Sequence, residues 1–255
     1  MKPPPRIIVT EALVLRRFDF SETSQVGHLF TRELGRTAVL AKGIKRPGKD
    51  LRGPLDLHAL AETEIRLRRS GLHLLVRYRV VTGFPGLRRS LARLYGASFV
   101  SEILREGTRD HDPQPRLFSE AVGALAALAE AREREATTIA LAFALRYLRE
   151  AGFMPELSRC VACGAVAPEG RSVRFAAPLS GLLCRRCAAS RSLPLLLIPP
   201  GARKWIAAVL ETEGNAAPLV PLPVAADRRA VRALLKGTLE RVLEKDVRSE
   251  PFLVP

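Results

Sequence analysis

Apolar and polar positions alternate with a period of two through most of the first 85 residues, the spacing that turns one face of a strand to a core and the other to water. Ile7 to Phe18 is the longest such run and is rich in β-branched residues. Val26 to Thr31 and Arg36 to Lys42 read as two further strands, turning at Leu34-Gly35, and Pro54 to Arg68 and Leu72 to Phe84 supply two more around Ser70-Gly71. Five short antiparallel strands with small turns predict a closed barrel of the OB type, with a bare sandwich or an SH3-like barrel as the alternative.

From Arg88 the apolar period lengthens to 3.6. Leu91, Leu94, Tyr95, Ser98, Phe99, Glu102 and Ile103 mark one helix, and Leu117, Phe118, Ala121, Val122, Leu125 and Leu128 a second beyond Pro113 and Pro115. Ile139 to Leu148 is apolar nearly all round, as the centre of a bundle must be, and stops before Gly152 and Pro155. Pro199-Pro200 opens a helix running to Glu211. A loop with Pro218, Pro221 and Pro223 then leads to a last helix from about Asp227 to Asp246, where Glu240, Arg241, Glu244 and Lys245 read as a solvated face. The class is α+β: a barrel domain over 1–85, a helical domain beginning at 86–157, a cysteine-bearing module at 158–198, and C-terminal helices at 199–255 completing the helical domain.

All four cysteines lie in that module, as Cys160-x-x-Cys163 and Cys184-x-x-Cys187. A CxxC turn brings two thiolates to one side of a loop, and two such turns make the closed tetrahedral sulfur shell that Zn²⁺ takes in structural sites. Gly164 follows the first pair and Ser180-Gly181 precedes the second, where the chain must reverse. One structural zinc ion is expected, folding a loop too short to build its own core; two disulfides or four unrelated thiols are the alternatives. Four sulfur ligands leave no position for water or substrate, so the metal is not read as catalytic.

Formal net charge is +15, which favours a polyanionic partner. Residues 1–85 carry 16 basic against 8 acidic side chains, 86–157 carry 10 of each, 158–198 carry 6 against 1, and 199–255 carry 9 against 7. The excess therefore sits on the barrel and the cysteine module. Its densest point is the glycine- and proline-rich loop from Lys42 to Gly53, with Lys42, Lys45, Arg46, Lys49 and Arg52, and with Arg36 on the strand leading in. Such a loop can follow a phosphate backbone, or it can be a solvated loop. Arg66, Arg68, Arg69, Arg185 and Arg186 are further candidates, and Arg88 and Arg89 can extend the patch. Phe18, Phe20, Phe30 and Tyr78 are the available stacking platforms, Phe30 reading as core; so few aromatics imply weak sequence preference.

No P-loop, GxGxxG, GxSxG or HExxH is present, and His28, His58, His73 and His111 are scattered without metal-ligand spacing. Asp19 and Glu22 read more simply as part of a polar turn than as a catalytic pair. Met1 to Pro5 carries no apolar signal core and no apolar run is long enough to span a bilayer, so a cytoplasmic protein without membrane partners is expected.

The run DFSETSQVGHLFTRELGRTAVLAKGIKRPGKDLRGPLDL, then LRYLREAGFMPELSRCVACG and GLLCRRC, resembles the bacterial recombination mediator family RecO, in its zinc-bearing branch. Glu22-Thr23-Ser24, Thr31 to Gly35, Lys42-Gly43 and Ala151-Gly152-Phe153 carry the likeness, which is collinear over most of the chain. The resemblance implies an OB domain, a helical region and a zinc element. It implies binding to single- and double-stranded DNA, annealing of complementary strands, and no catalytic turnover. It also implies work with RecR and the acidic tail of single-strand-binding protein so that RecA loads, in the bacterial cytoplasm at the nucleoid. Physically, annealing suits a broad basic barrel face adjoining a basic zinc module. An RNA- or ribosome-binding OB and zinc-ribbon protein is the rival reading.

Overall fold

The structure, a computed structural model, describes residues 6–46, 51, 53–212 and 224–253. Lys49 and Arg52, and the prolines 218, 221 and 223, lie outside the described residues.

The barrel is closed by one long, bent strand. β1 (Ile7–Asp19) pairs with β4 (Leu60–Arg66) through its first half and with β2 (Gln25–Thr31) through its second, with a register shift between Val14 and Arg16. A bulge of this kind bends a strand and raises its twist, which lets one strand serve both edges of the sheet. β3 (Gly35–Ala41) pairs antiparallel with β2 and parallel with β5 (His73–Thr82) at Val39↔His73 and Leu40↔Leu74. The resulting order, β1-β2-β3-β5-β4, is of the OB type. Inward residues such as Val14, Leu29, Val39 and Ile65 fill the interior.

The strand expected from Pro54 starts late. Residues 54–59 alternate as a strand would, yet Leu55 donates its N–H to the Gln25 side-chain oxygen at 2.9 Å, and His58 takes a left-handed backbone with φ 66°. The His58 N–H meets the Val14 carbonyl at 2.9 Å and the Val14 N–H meets the Ala59 carbonyl at 3.1 Å, so this segment services the β1 bulge. Leu55 is fully buried as a plug of the barrel. Its apolar alternation encoded filling, not a ladder.

A 3₁₀ turn (Pro85–Arg89) leads into α1 (Leu91–Gly107), α2 (Pro115–Glu130) and α3 (Glu133–Glu150). Twelve residues of α3 are buried, consistent with its unbroken apolarity. It ends in a Schellman motif: Gly152 (φ 75°) donates to Arg149 O at 3.1 Å and Phe153 donates to Leu148 O at 2.8 Å. Barrel and helices share one core, for Leu13, Leu15, Phe30 and Leu60 belong to the helical cluster, and Phe30 lies against Phe118 with ring centroids 6.0 Å apart. Gly35 (φ 65°) marks the junction; a Cβ there would meet the Asp112 carbonyl at 2.2 Å.

Beyond α3, β6 (Glu156–Cys160), β7 (Val173–Ala176), β8 (Gly181–Leu183) and β9 (Leu196–Ile198) form a small sheet in the order β6-β8-β7-β9, with the short helix α4 (Arg185–Ala189) before β9. Val173, Phe175, Leu182 and Ile198 join the main core, while Cys160, Ala176, Leu183 and Ala188 make a small outer cluster. The module thus borrows most of its core from the helices and keeps only a small cluster of its own, in keeping with a segment too short to build a core alone. α5 (Pro200–Glu211) and α6 (Ala225–Leu243) complete the bundle. α6 stops three residues short of the expected Asp246 because Glu244 turns left-handed (φ 54°); Arg241, Glu244 and Lys245 are exposed as expected, and Lys245 also reaches Glu106 at 2.7 Å.

Candidate functional site

The four cysteines converge although 20 residues separate the two pairs. Cys160 ends β6, Cys163 sits in the turn after it, Cys184 caps α4 and Cys187 lies within that helix. The turn is closed by Cys160 N–H to Ala165 O and by Gly164 N–H to Cys160 O, each 2.8 Å, with Gly164 at φ 73°. All four sulfurs lie within 4.8 Å of one another, and the thiols are free. Cys163 Sγ and Cys184 Sγ are 3.8 Å apart. A tetrahedral shell with Zn–S of about 2.3 Å sets neighbouring sulfurs about 3.8 Å apart, the spacing of this pair, so the four close sulfurs could hold such an ion.

The thiols are electrostatically unequal. Burial resists ionisation of Cys160, but backbone N–H groups of Cys184, Ala162 and Cys163 aimed at its sulfur outweigh it and bring the pKa down to about 6. Cys184 is lowered chiefly by the Cys187 N–H, 3.4 Å from its sulfur. Cys187 is pushed up to about 11 by the sulfurs of Cys184 and Cys163, a cost that a dication at the centre of the cluster removes.

On the barrel, the β1–β2 turn and the start of the basic loop are stitched into one ridge. Gly43 N–H donates to Ser24 Oγ at 3.1 Å, Lys45 N–H to Thr23 O at 3.0 Å, and Lys45 Nζ pairs with Asp19 Oδ2 at 2.9 Å. Hydrogen bonds from Lys45, then from Gln25, hold the Asp19 carboxyl below its usual range. Phe20, 64% exposed, stands in that turn, and Lys42 and Arg46 are exposed on the loop stitched to it, with no acidic partner among the described residues. Phe18 is partly exposed, with the Arg16 guanidinium 4.2 Å over its ring and His28 edge-on at 5.7 Å. Sequence reasoning missed Arg16; its i, i+2 spacing to Phe18 on an alternating strand is the signal that places both on one face.

The remaining candidates divide by what they touch. Arg36 is half-buried and spans from the barrel to the α1–α2 loop, pairing with Asp110 at 2.7 Å and donating to the Arg105 carbonyl. Arg88 bonds Asp56 and the Gly83 carbonyl. Arg66 is half-buried, whereas Arg68, Arg69, Arg89, Arg185 and Arg186 are exposed. Tyr78 is no stacking platform: it is fully buried and its hydroxyl accepts from Asp56 N at 3.1 Å. Phe30 is core, as expected. The barrel packs on α1, which contacts β1 and β2, while the small sheet packs on α6 through β9. Helices thus pack against both basic regions.

No helix among the described residues is long and apolar enough to cross a membrane. Two family models match the chain: Recombination protein O N terminal over residues 6–84 and Recombination protein O C terminal over residues 88–251. Similar proteins include the DNA repair protein RecO of Anaeromyxobacter dehalogenans (strain 2CP-C), 38% identical over 247 residues covering 94% of this chain and 93% of that one. DNA repair protein RecO of Rhodopirellula baltica is 32% identical over 269 residues (95% and 97%), and that of Myxococcus xanthus is 31% identical over 243 (95% of each). With a barrel of the OB type, a helical body and a cluster of four cysteines, and with these matches along nearly its whole length, the chain belongs to the RecO family of DNA repair proteins.

Proposed function

We propose that this protein is a non-catalytic recombination mediator: it binds single- and double-stranded DNA, anneals complementary strands, and with RecR helps RecA load on strands coated by single-strand-binding protein, whose acidic tail it receives. Family membership supports the repair role. The observation that carries DNA contact is the barrel ridge, where Lys42 and Arg46 stand uncommitted on the loop stitched to the turn of the exposed Phe20. Cations neutralise successive phosphates and release counterions, while an aromatic face stacks any base, so the ridge favours a strand over a sequence. Lys45 lends charge to the same ridge while tied to Asp19. Arg68, Arg69, Arg89, Arg185 and Arg186 are offered as secondary contacts. Arg36 and Arg88 enter a DNA surface only if their present partners are given up.

Zn²⁺ held by Cys160, Cys163, Cys184 and Cys187 is the proposed cofactor. Its role is to fix the knuckle and α4, and with them the orientation of Arg185 and Arg186. The donor chemistry supports zinc, since four clustered thiolates suit a borderline-soft d¹⁰ ion.

Binding to matched DNA and RNA strands tests the reading. Tighter DNA binding, weakened at least about tenfold by Lys42→Glu with Arg46→Glu, is expected. Preference for RNA brings the ribosome- or RNA-binding alternative forward instead.

A further inference from the structure

The β1 bulge divides the outer face of the barrel into a covered half and an open half. Leu13 and Leu15 of β1 and Phe30 of β2 join the helical core, so helices cover the face on their side of the bulge. Past it the register resumes at Arg16↔His28 and Phe18↔Val26, and continues onto β3 at Val26↔Leu40. These are outward positions, because Leu29 and Val39, which alternate with His28 and Leu40, fill the barrel interior. Arg16 and Phe18 are exposed; Val26 and Leu40 are half-buried and belong to none of the hydrophobic clusters. Phe18, Val26 and Leu40 therefore form one apolar row across three strands, outside the core.

The Phe18 ring is placed by two neighbours, His28 edge-on at 5.7 Å and the Arg16 guanidinium 4.2 Å from its centroid. Arg16 has no hydrogen-bond or ion-pair partner among the described residues, so the ring face alone meets its charge, and a cation held only by an exposed ring is released with little loss. Asp19, the acidic residue beside Phe18, is neutralised by Lys45. Lys42, two residues beyond Leu40, is exposed without an acidic partner among the described residues, as Arg16 is. An apolar row with an uncommitted cation toward each end matches a nucleotide within a strand, whose base stacks on an aromatic ring while the phosphates on either side draw cations. Bases in a duplex have their faces occupied by neighbours and reach a side chain only by unstacking.

We propose that one unpaired base stacks on Phe18 in this row, with Arg16 leaving the ring for the phosphates of the strand, and that Phe18 is the residue by which this protein tells a single strand from a duplex. The cations of the Lys42–Arg46 ridge neutralise phosphates of either form. Every base has a face that stacks, so the selection is for an unpaired strand and not for a sequence. The inference rests on the DNA-binding reading above and adds a specificity-determining residue to it.

The test uses the full, metal-loaded chain with a labelled single strand and the matched duplex, each titrated across salt. Phe18→Leu should weaken single-strand binding about tenfold, leave duplex affinity at its native value, and leave the slope of log affinity against log salt unchanged, because stacking releases no counterions. Arg16→Ala should make the single-strand slope shallower by about 0.7 for each phosphate no longer neutralised, and an unchanged slope overturns its phosphate role. Phe18 lies outside the hydrophobic clusters, so Phe18→Leu should fold, with a native melting temperature as the check. Phe18→Trp should lose emission when the single strand binds and not when the duplex does, a signal that the buried Trp205 does not give. Native single-strand affinity in Phe18→Leu, in a chain whose binding Lys42→Glu with Arg46→Glu weakens, overturns the stacking site and leaves the DNA reading standing. Equal losses on strand and duplex overturn the selectivity, and a native protein that binds neither overturns the DNA reading with it.

Discussion

Lys42 and Arg36 carry the same charge six residues apart, and their surroundings give them different work. Arg36 holds Asp110 and the end of α1, a tie between barrel and helices; Lys42 holds nothing among the described residues and stands in water. Sequence spacing could not separate them, because Asp110 comes from 74 residues away. Tyr78 was illegible for the same reason: its hydroxyl partner, Asp56 N, lies on the loop that plugs the barrel. Phe20 was legible, since a phenylalanine inside a polar turn has no core to enter. His58 shows how a residue without chemistry still sets a pH response. Burial first, and then the charge of Arg88, lowers its pKa from 6.5 to about 4. The folded protein keeps the ring neutral where the unfolded chain binds a proton, so stability is full above pH 6.5 and falls as pH drops toward 4. The loss is about 3 kcal/mol at most. Urea melts of the DNA-free protein should show this decline, and His58→Gln should flatten that part of the profile.

At the scale of elements, periodicity identified strands and helices wherever a side chain's direction decided its burial. β1 to β3 and α1 to α3 follow that rule. The segment 54–59 does not, because its alternation fills the barrel through Leu55 while its backbone serves the β1 bulge. The sheet of the cysteine module was hidden because β8 and β9 have only three residues each, too few to show a period. What was legible there was the sulfur spacing, and the geometry it implied is present. Because one face of the sheet lies in the main core, removing metal should act locally. Chelation should leave the helical signal in circular dichroism nearly unchanged while amides of residues 159–188 lose protection from exchange. Global unfolding on chelation would mean that the metal holds the bundle as well.

For the whole molecule, the uneven charge along the chain maps onto the architecture. The neutral segment 86–157 forms the three helices packed at the centre, and the excess falls on a barrel and a small sheet carried by different helices. Some of the barrel cations tie the fold together, as Arg36 does, while Lys42 and Arg46 have no acidic partner among the described residues. Sequence exposed this partition and the family likeness, but not which helices each basic region packs against, because only the α1–barrel and α6–sheet contacts reveal that. In the proposed mediator role, cationic surfaces on one shared core would hold two strands close together without locking either. The most direct test is annealing of complementary DNA strands coated with single-strand-binding protein, comparing the native chain with Lys42→Glu, Arg46→Glu. The native protein should anneal, and the variant, still folded and metal-loaded, should be slower by at least about tenfold. Equal annealing by both would move the strand contact away from the barrel ridge, and a native protein unable to anneal would contradict the mediator role itself.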